Sequence, residues 1–233
     1  AGGCHHSLGL CHVADSEVMQ MVALADQLLV LVMLINFIML GSSRMAFVIR
    51  AVAAQGVILG IIPGLLHPFS GHLLAITVSI ILAKGVVIPY LLNDAVRKAQ
   101  IRREVEPFIG YVPTLLLGAV FTALAFVFAQ KLPLAPEHRD LLFVPASIAT
   151  LMTGFLILTT RKKAISQVIG YLVLENGIFI FGLLLAEAMP FMVEAGALLD
   201  LLVGIFVMGI VINHISREFS TVDTSRLQTL REE

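Results

Sequence analysis

Five ionisable side chains sit inside otherwise apolar stretches of this sequence: Asp26, Lys84, Glu175, Glu194 and Asp200. A charged group surrounded by hydrocarbon is costly, so where such groups occur they mark proton or ion pathways or bind one another. Their chemistry is protonation. Desolvation favours the neutral form of a carboxyl or an amine, and a nearby opposite charge restores the charged form. A buried acid or base therefore changes protonation state when its neighbour's charge changes, which is the elementary step of a proton relay. At about 1.5 Å of helix rise per residue, Glu175 lies ~17 Å from the start of its span, Asp200 ~15 Å into the next and Lys84 ~14 Å from the end of its own. These three are the candidate relay, with Asp26 and Glu194 nearer the outer face as supporting acids. Lys163, Gln167, Tyr171 and Glu175 recur every four residues, a spacing that sets them along one slowly drifting helix face. Gln167 and Tyr171 are accordingly expected to support Glu175 from the basic end, or else to join helices by polar contact.

The elements that position these groups must lie in a membrane. Of the 233 residues, 58% are hydrophobic and only 13% charged, against about 25% charged in a soluble domain. Mean hydropathy is +0.97. Stretches of about 20 apolar residues suffice to cross the bilayer as helices, and seven are present, at 19–41, 45–66, 69–93, 109–130, 141–160, 164–187 and 190–215. The alternation of a transmembrane β-barrel is absent, so the expected fold is an all-α polytopic bundle. A net charge of −1 offers no basic arm for nucleic acid. The partner implied by composition is the lipid bilayer.

Basic residues orient the chain. Of the 15 Lys and Arg, twelve flank one side, at Arg44 and Arg50, from Arg97 to Arg103, from Arg161 to Lys163 and in the tail from Arg217. Lys131 and Arg139 alone flank the other, and Lys84 is inside a span. The N-terminus is therefore expected outside and the C-terminus in the cytoplasm. The organisation reads as an N-terminal extension at 1–18, three helices over 19–93, and a charged loop, fourth helix and external loop over 94–140. A three-helix unit follows at 141–215, with a cytoplasmic tail at 216–233. Residues 1–18 carry no basic and apolar pattern of a signal peptide. Cys4, His5, His6, Cys11 and His12 match no standard zinc spacing, and the extension is expected to be disordered. Only two cysteines exclude a disulfide framework. No cofactor, metal or catalytic centre is expected in this chain.

The segments LTTRKKAISQ, VIGYLVLENGIFIFG and EAGALLDLLVGIFVMGIVI carry a likeness. Residues 141–215 resemble the three-helix K-type subunit of respiratory complex I and of multisubunit cation/proton antiporters. In that pattern a basic cytoplasmic turn leads into a helix with one buried acid, and a second acid precedes a glycine on the next helix. Glu175 matches the first acid and Asp200, followed by Gly204, the second, with Asp in place of the usual Glu. With its additional N-terminal spans and Lys84 in LAKGVVIPYLL, the whole chain resembles the E-component family of hydrogenase-4 and formate-hydrogenlyase-type complexes.

That resemblance implies a membrane-arm subunit of a group-4 [NiFe]-hydrogenase complex in the cytoplasmic (inner) membrane of a prokaryote. It implies antiporter-like proton-channel subunits beside the chain, and cytoplasmic hydrogenase and iron–sulfur subunits carrying the iron–sulfur clusters and nickel–iron. This chain would contribute Glu175, Asp200 and Lys84 to proton translocation. A subunit of a complex I-like cation/proton antiporter, or a non-transporting spacer, are the alternatives. Spans one to three also run in the same directions as five to seven. A parallel repeat is thus geometrically possible, although aligning Gln55 with Glu175 and Lys84 with Asp200 needs different offsets.

Overall fold

The computed structural model describes residues 5–66, 71–98, 108–132 and 142–185, together with 205 and 209. Among the described residues the protein is helical and has no strands. The order is α1 (His5–Gly41), α2 (Met45–Leu66), α3 (Gly71–Leu82), a π-helical turn (Ala83–Val87), α4 (Ile88–Lys98), α5 (Tyr111–Lys131), α6 (Phe143–Thr160) and α7 (Ala164–Leu185). Among the described residues, six stretches are long and apolar enough to span a bilayer: Met19–Gly41, Met45–Leu65, Thr77–Asp94, Tyr111–Lys131, Phe143–Thr160 and Ile165–Leu184. They match six of the seven expected spans, and the seventh, with Glu194 and Asp200, lies outside the described residues except for 205 and 209. The extension also differs from expectation: α1 begins at His5, so its backbone is already helical well before the span starts at Met19.

Two hairpins form the centre. The turn at 42–44 joins α1 to α2, and the turn at 161–163 joins α6 to α7. α1 packs on α6 and α2 on α7, while α5 lies against α1 and α6, and α3, the π-turn and α4 cover α2. Both turns lie at the same end of the bundle, which we call the basic end.

Glycine brings α6 and α7 together. A Cβ on Gly154 would lie 2.5 Å from the Leu174 nitrogen, one on Gly177 2.7 Å from the Leu151 nitrogen, and one on Gly170 2.8 Å from the Leu158 nitrogen. Small residues let helix backbones approach closely where lipid supplies no hydrophobic drive between helices. The same device seats the third span on α2: a Cβ on Gly56 would meet the Lys84 Cβ at 2.7 Å, and one on Gly60 would meet Ile81 at 2.6 Å.

The π-turn has a local cause. Pro89 has no N–H for the Gly85 carbonyl, and its ring crowds that position in an α-helix. The chain widens instead, and the Ile88 N–H bonds the Ala83 carbonyl, five residues back. At the start of α5, Gly110 adopts φ +81°, open to glycine at no steric cost.

The interior is layered. One apolar cluster near the basic end includes Met39, Ile49, Leu92, Ile157 and Ile169. A second, toward the opposite end, includes Leu29, Leu59, Ile62, Phe143 and Ile180. Buried polar side chains separate them.

The basic turn is more than a topological signal. Arg161 is buried, and its Nη2 donates to the carbonyls of Met39, Leu40 and Ser42 at 3.4, 3.1 and 3.4 Å. Those carbonyls end α1, where helical partners run out and the dipole favours a cation. The guanidinium also lies 5.1 Å from the Tyr111 ring centroid on α5. Lys162 sits 4.7 Å from the Phe108 ring, and the Phe108 N–H donates to the Thr160 carbonyl at 3.0 Å. Arg161→Leu is expected to destabilise the bundle by about 1.5–3 kcal/mol through lost charged hydrogen bonds. Lys162→Ala, losing an exposed cation–π contact, should cost about 0.5–1 kcal/mol. Denaturation midpoints of the two purified variants check the difference, and equal midpoints would reduce Arg161 to a topology determinant.

Candidate functional site

The polar layer brings Lys84 and Glu175 together. Lys84, carried on the π-turn, points its Nζ at Glu175 Oε1 on α7, 2.8 Å away. The two side chains are only 10% and 3% exposed, so water does little to screen them. Moving each charge out of water costs several kcal/mol, repaid only by good geometry and further hydrogen bonds. Lys84 has such support. Its Nζ donates to Asn176 Oδ1 at 3.3 Å and lies 5.4 Å from the Phe179 ring centroid. Phe179 is one turn beyond Glu175, so three consecutive contact positions of α7 face one ammonium.

The layer continues across the bundle. Asn176 Nδ2 donates to Gln55 Oε1 on α2 at 3.2 Å. Gln55 Nε2 donates to Asn36 Oδ1 on α1 at 2.8 Å. Asn36 Nδ2 donates to Thr150 Oγ1 on α6 at 2.9 Å. Asn36, Gln55, Thr150 and Asn176 are each at most 3% exposed. Five elements thus meet through one chain of contacts at the level where the two apolar clusters part.

Not every expected site residue joins it. Asp26 is far from the pair, toward the opposite end, and its Oδ1 accepts the Leu142 N–H at 3.1 Å. Leu142 directly precedes α6, so Asp26 satisfies a helix N-terminus from a neighbouring helix. Gln167 is exposed, and its Nε2 donates to the Arg161 carbonyl at 3.4 Å. Its described contact is with the basic turn, two helical turns from Glu175. A step of four residues turns about 40° along a helix, so Gln167 and Glu175 face roughly 80° apart. Tyr171 is half-buried between them. Glu194 and Asp200 lie outside the described residues, as does the charged loop beyond residue 98. No cluster of three or more His, Cys, Asp or Glu able to hold a metal occurs among the described residues.

Asn36, Thr150 and Asn176 were not among the expected site residues, and Gln55 entered only as an alignment position. The signal was present: Asn36 and Gln55 interrupt long apolar runs, as Lys84 and Glu175 do. A neutral amide in such a run reads as generic helix glue, and only the contacts show that these belong to the ion pair.

No family model matches the chain, and no solved structure matches it. Among curated proteins, it is 32% identical over 188 residues to the uncharacterized protein Rv0085 of Mycobacterium tuberculosis, covering 79% of this chain and 86% of that protein. It is 26% identical over 162 residues to hydrogenase-4 component E of Escherichia coli K12, covering 69% of this chain and 74% of that one. The component E of Shigella flexneri matches with the same identity and coverage. The second likeness, though distant, agrees with the E-component resemblance read from the sequence. With 32% identity over most of both chains, this helical membrane protein belongs to the family of Rv0085.

Proposed function

We propose that the chain is a membrane subunit of a multisubunit redox complex of the hydrogenase-4 type, and that its Lys84–Glu175 pair takes part in proton translocation. The observation that carries the reading is the 2.8 Å ion pair in the buried polar layer, between two apolar clusters. Similarity to hydrogenase-4 component E supports the membership.

The pair shares one proton between two sites. When a nearby charge disfavours the ionic form, the proton passes from Lys84 Nζ to a Glu175 oxygen. The N–H bond breaks, an O–H bond forms, and the pair becomes amine and carboxylic acid. Restoring the charge reverses the step. Asp200 would extend the relay on the next helix. Redox chemistry would occur on cytoplasmic partner subunits carrying iron–sulfur clusters and nickel–iron, with antiporter-like subunits alongside in the cytoplasmic membrane.

Glu175→Gln is the direct test. It keeps shape and hydrogen-bonding capacity but cannot take the proton, so the subunit should still assemble. Coupled proton uptake or release in proteoliposomes of the whole complex, normalised to assembled subunit, should fall by about a hundredfold, in line with the loss of a positioned proton-transfer group. Glu175→Asp should retain part of it. Wild-type coupling in Glu175→Gln would sink the relay and leave the carboxyl as an assembly residue. Copurification without hydrogenase subunits would sink the membership.

A further inference from the structure

We propose that Asn176, Gln55, Asn36 and Thr150 are positioning residues: a hydrogen-bond chain of fixed direction that holds the shared proton on Lys84. This rests on the Lys84–Glu175 pair being the proton-carrying group described above.

The direction follows from elementary donor and acceptor rules. An ammonium only donates, so Asn176 must turn its Oδ1 toward Lys84. Its Nδ2 then faces Gln55 and needs an acceptor, which fixes Gln55 with Oε1 toward α7 and Nε2 toward α1. The same rule fixes Asn36, whose Nδ2 is left facing Thr150 Oγ1. Each amide has one orientation compatible with its neighbour. Reversing one requires reversing all three and turns an amide N–H onto the ammonium.

Thr150 is the anchor of this direction. Its hydroxyl accepts from Asn36 at a site with no exposed surface. Without that oxygen the present direction leaves a buried Asn36 N–H unsatisfied, whereas the reversed direction, with Lys84 as an amine whose lone pair accepts from Asn176 Nδ2, leaves only the Asn36 carbonyl. An orphaned buried N–H is the rarer and less tolerated of the two. Losing the Thr150 hydroxyl therefore favours the orientation that withdraws the Asn176 oxygen from Lys84. The ammonium loses an acceptor, and the amine form becomes more populated.

Among the described residues, other charges do not account for the placement. On α7, the ionisable group facing Lys84 is Glu175. α2 presents Gly56 at the Lys84 Cβ, and its Arg50 is exposed nearer the basic end. On the helix of Lys84 itself, Tyr90 is exposed and Asp94 lies further toward the basic end.

Thr150→Val removes the oxygen at nearly constant volume, and Thr150→Ser keeps it. Only a neutral amine is acylated, so the rate of Lys84 modification at fixed pH reads its uncharged fraction. The full chain in lipid nanodiscs is treated with membrane-permeant acetic anhydride, and acetylation at Lys84 is followed by mass spectrometry. Thr150→Val should label about three- to tenfold faster than wild type, the effect of one charged hydrogen bond on a protonation equilibrium. Thr150→Ser should label at the wild-type rate. A merely structural contact would not produce this contrast between isosteric and conservative variants. If Thr150→Val fails to reach the membrane, Asn36→Leu, one link nearer Lys84 but not in contact with it, carries the same expectation. Glu175→Gln serves as the reference, since losing the counter-ion must raise the amine fraction. Wild-type labelling in Thr150→Val with faster labelling in Glu175→Gln would overturn the positioning chain alone. Wild-type labelling in Glu175→Gln as well would overturn the ion pair on which it rests.

Discussion

Lys84→Met should lower the stability of the folded chain by about 3–5 kcal/mol, the cost of removing one partner from a buried ion pair. The asymmetry of burial makes this the more damaging half to lose. Glu175 is 3% exposed and Lys84 10%, and a long lysine stem can carry its ammonium toward water or release the proton. Glu175, shorter and more deeply buried, has no comparable stem to carry its charge toward water. The double variant Lys84→Met/Glu175→Gln should regain most of the stability, because neutral groups of similar volume commonly replace a buried pair at little cost. It should regain none of the coupled proton transfer. Denaturation midpoints of the two single variants and the double, with transport assayed on the same samples, check both halves. A double variant no more stable than Lys84→Met would show that the two side chains are not energetically paired.

Gly154→Ala should be nearly as severe, although it adds one methyl group. That methyl would lie 2.5 Å from the Leu174 nitrogen and 2.7 Å from its Cα, so the backbone of α7 must move. Overpacking of this kind costs about 1–3 kcal/mol, and more when the obstructing atoms are backbone. Leu174 is bonded to Glu175, so any displacement shifts the carboxyl from its 2.8 Å register with Lys84. Transport should therefore be lost even in the fraction that folds. Gly182→Ala in α7 has no described atom within 4 Å of the new methyl and should be neutral or slightly stabilising. Equal behaviour of the two alanine variants, in folded yield and in transport, would contradict the close helix contact.

Much of this architecture is legible in the residues themselves. Lipid demands long apolar helices, so the spans show as composition, and an ionisable group within one stands out because it is rare. Lys84 and Glu175 are identifiable on that ground alone. Their partnership is not, because it joins helices distant in sequence and depends on close glycine contacts and on a five-residue departure from α geometry. Four-residue spacing only approximates the helical repeat, so over two turns the side chain of Gln167 comes to face about 80° from Glu175 and is exposed. Arg161 reads as one of several topogenic charges, since nothing in RKK distinguishes a capping guanidinium from a solvated one. Neutral Asn36 and Thr150 gave a weaker signal than charge, and their importance arises from the order in which they touch.

The widened turn at Ala83–Val87 also bears on how relatives of this protein should be compared. A π-turn accommodates one residue more than the α-helix it interrupts, so it acts as a single-residue insertion within an otherwise continuous helix. A relative one residue shorter here could run as an unbroken α-helix. Everything on one side of the missing residue would then be turned by about 100° relative to the other, given 3.6 residues per turn. A lysine aligned with Lys84 by sequence would face a different neighbour there, and a residue aligned elsewhere could occupy its place against the acid. Homology at this position is a matter of rotational phase: the length of the segment, as much as the letter it carries, decides which ancestral side chain meets Glu175.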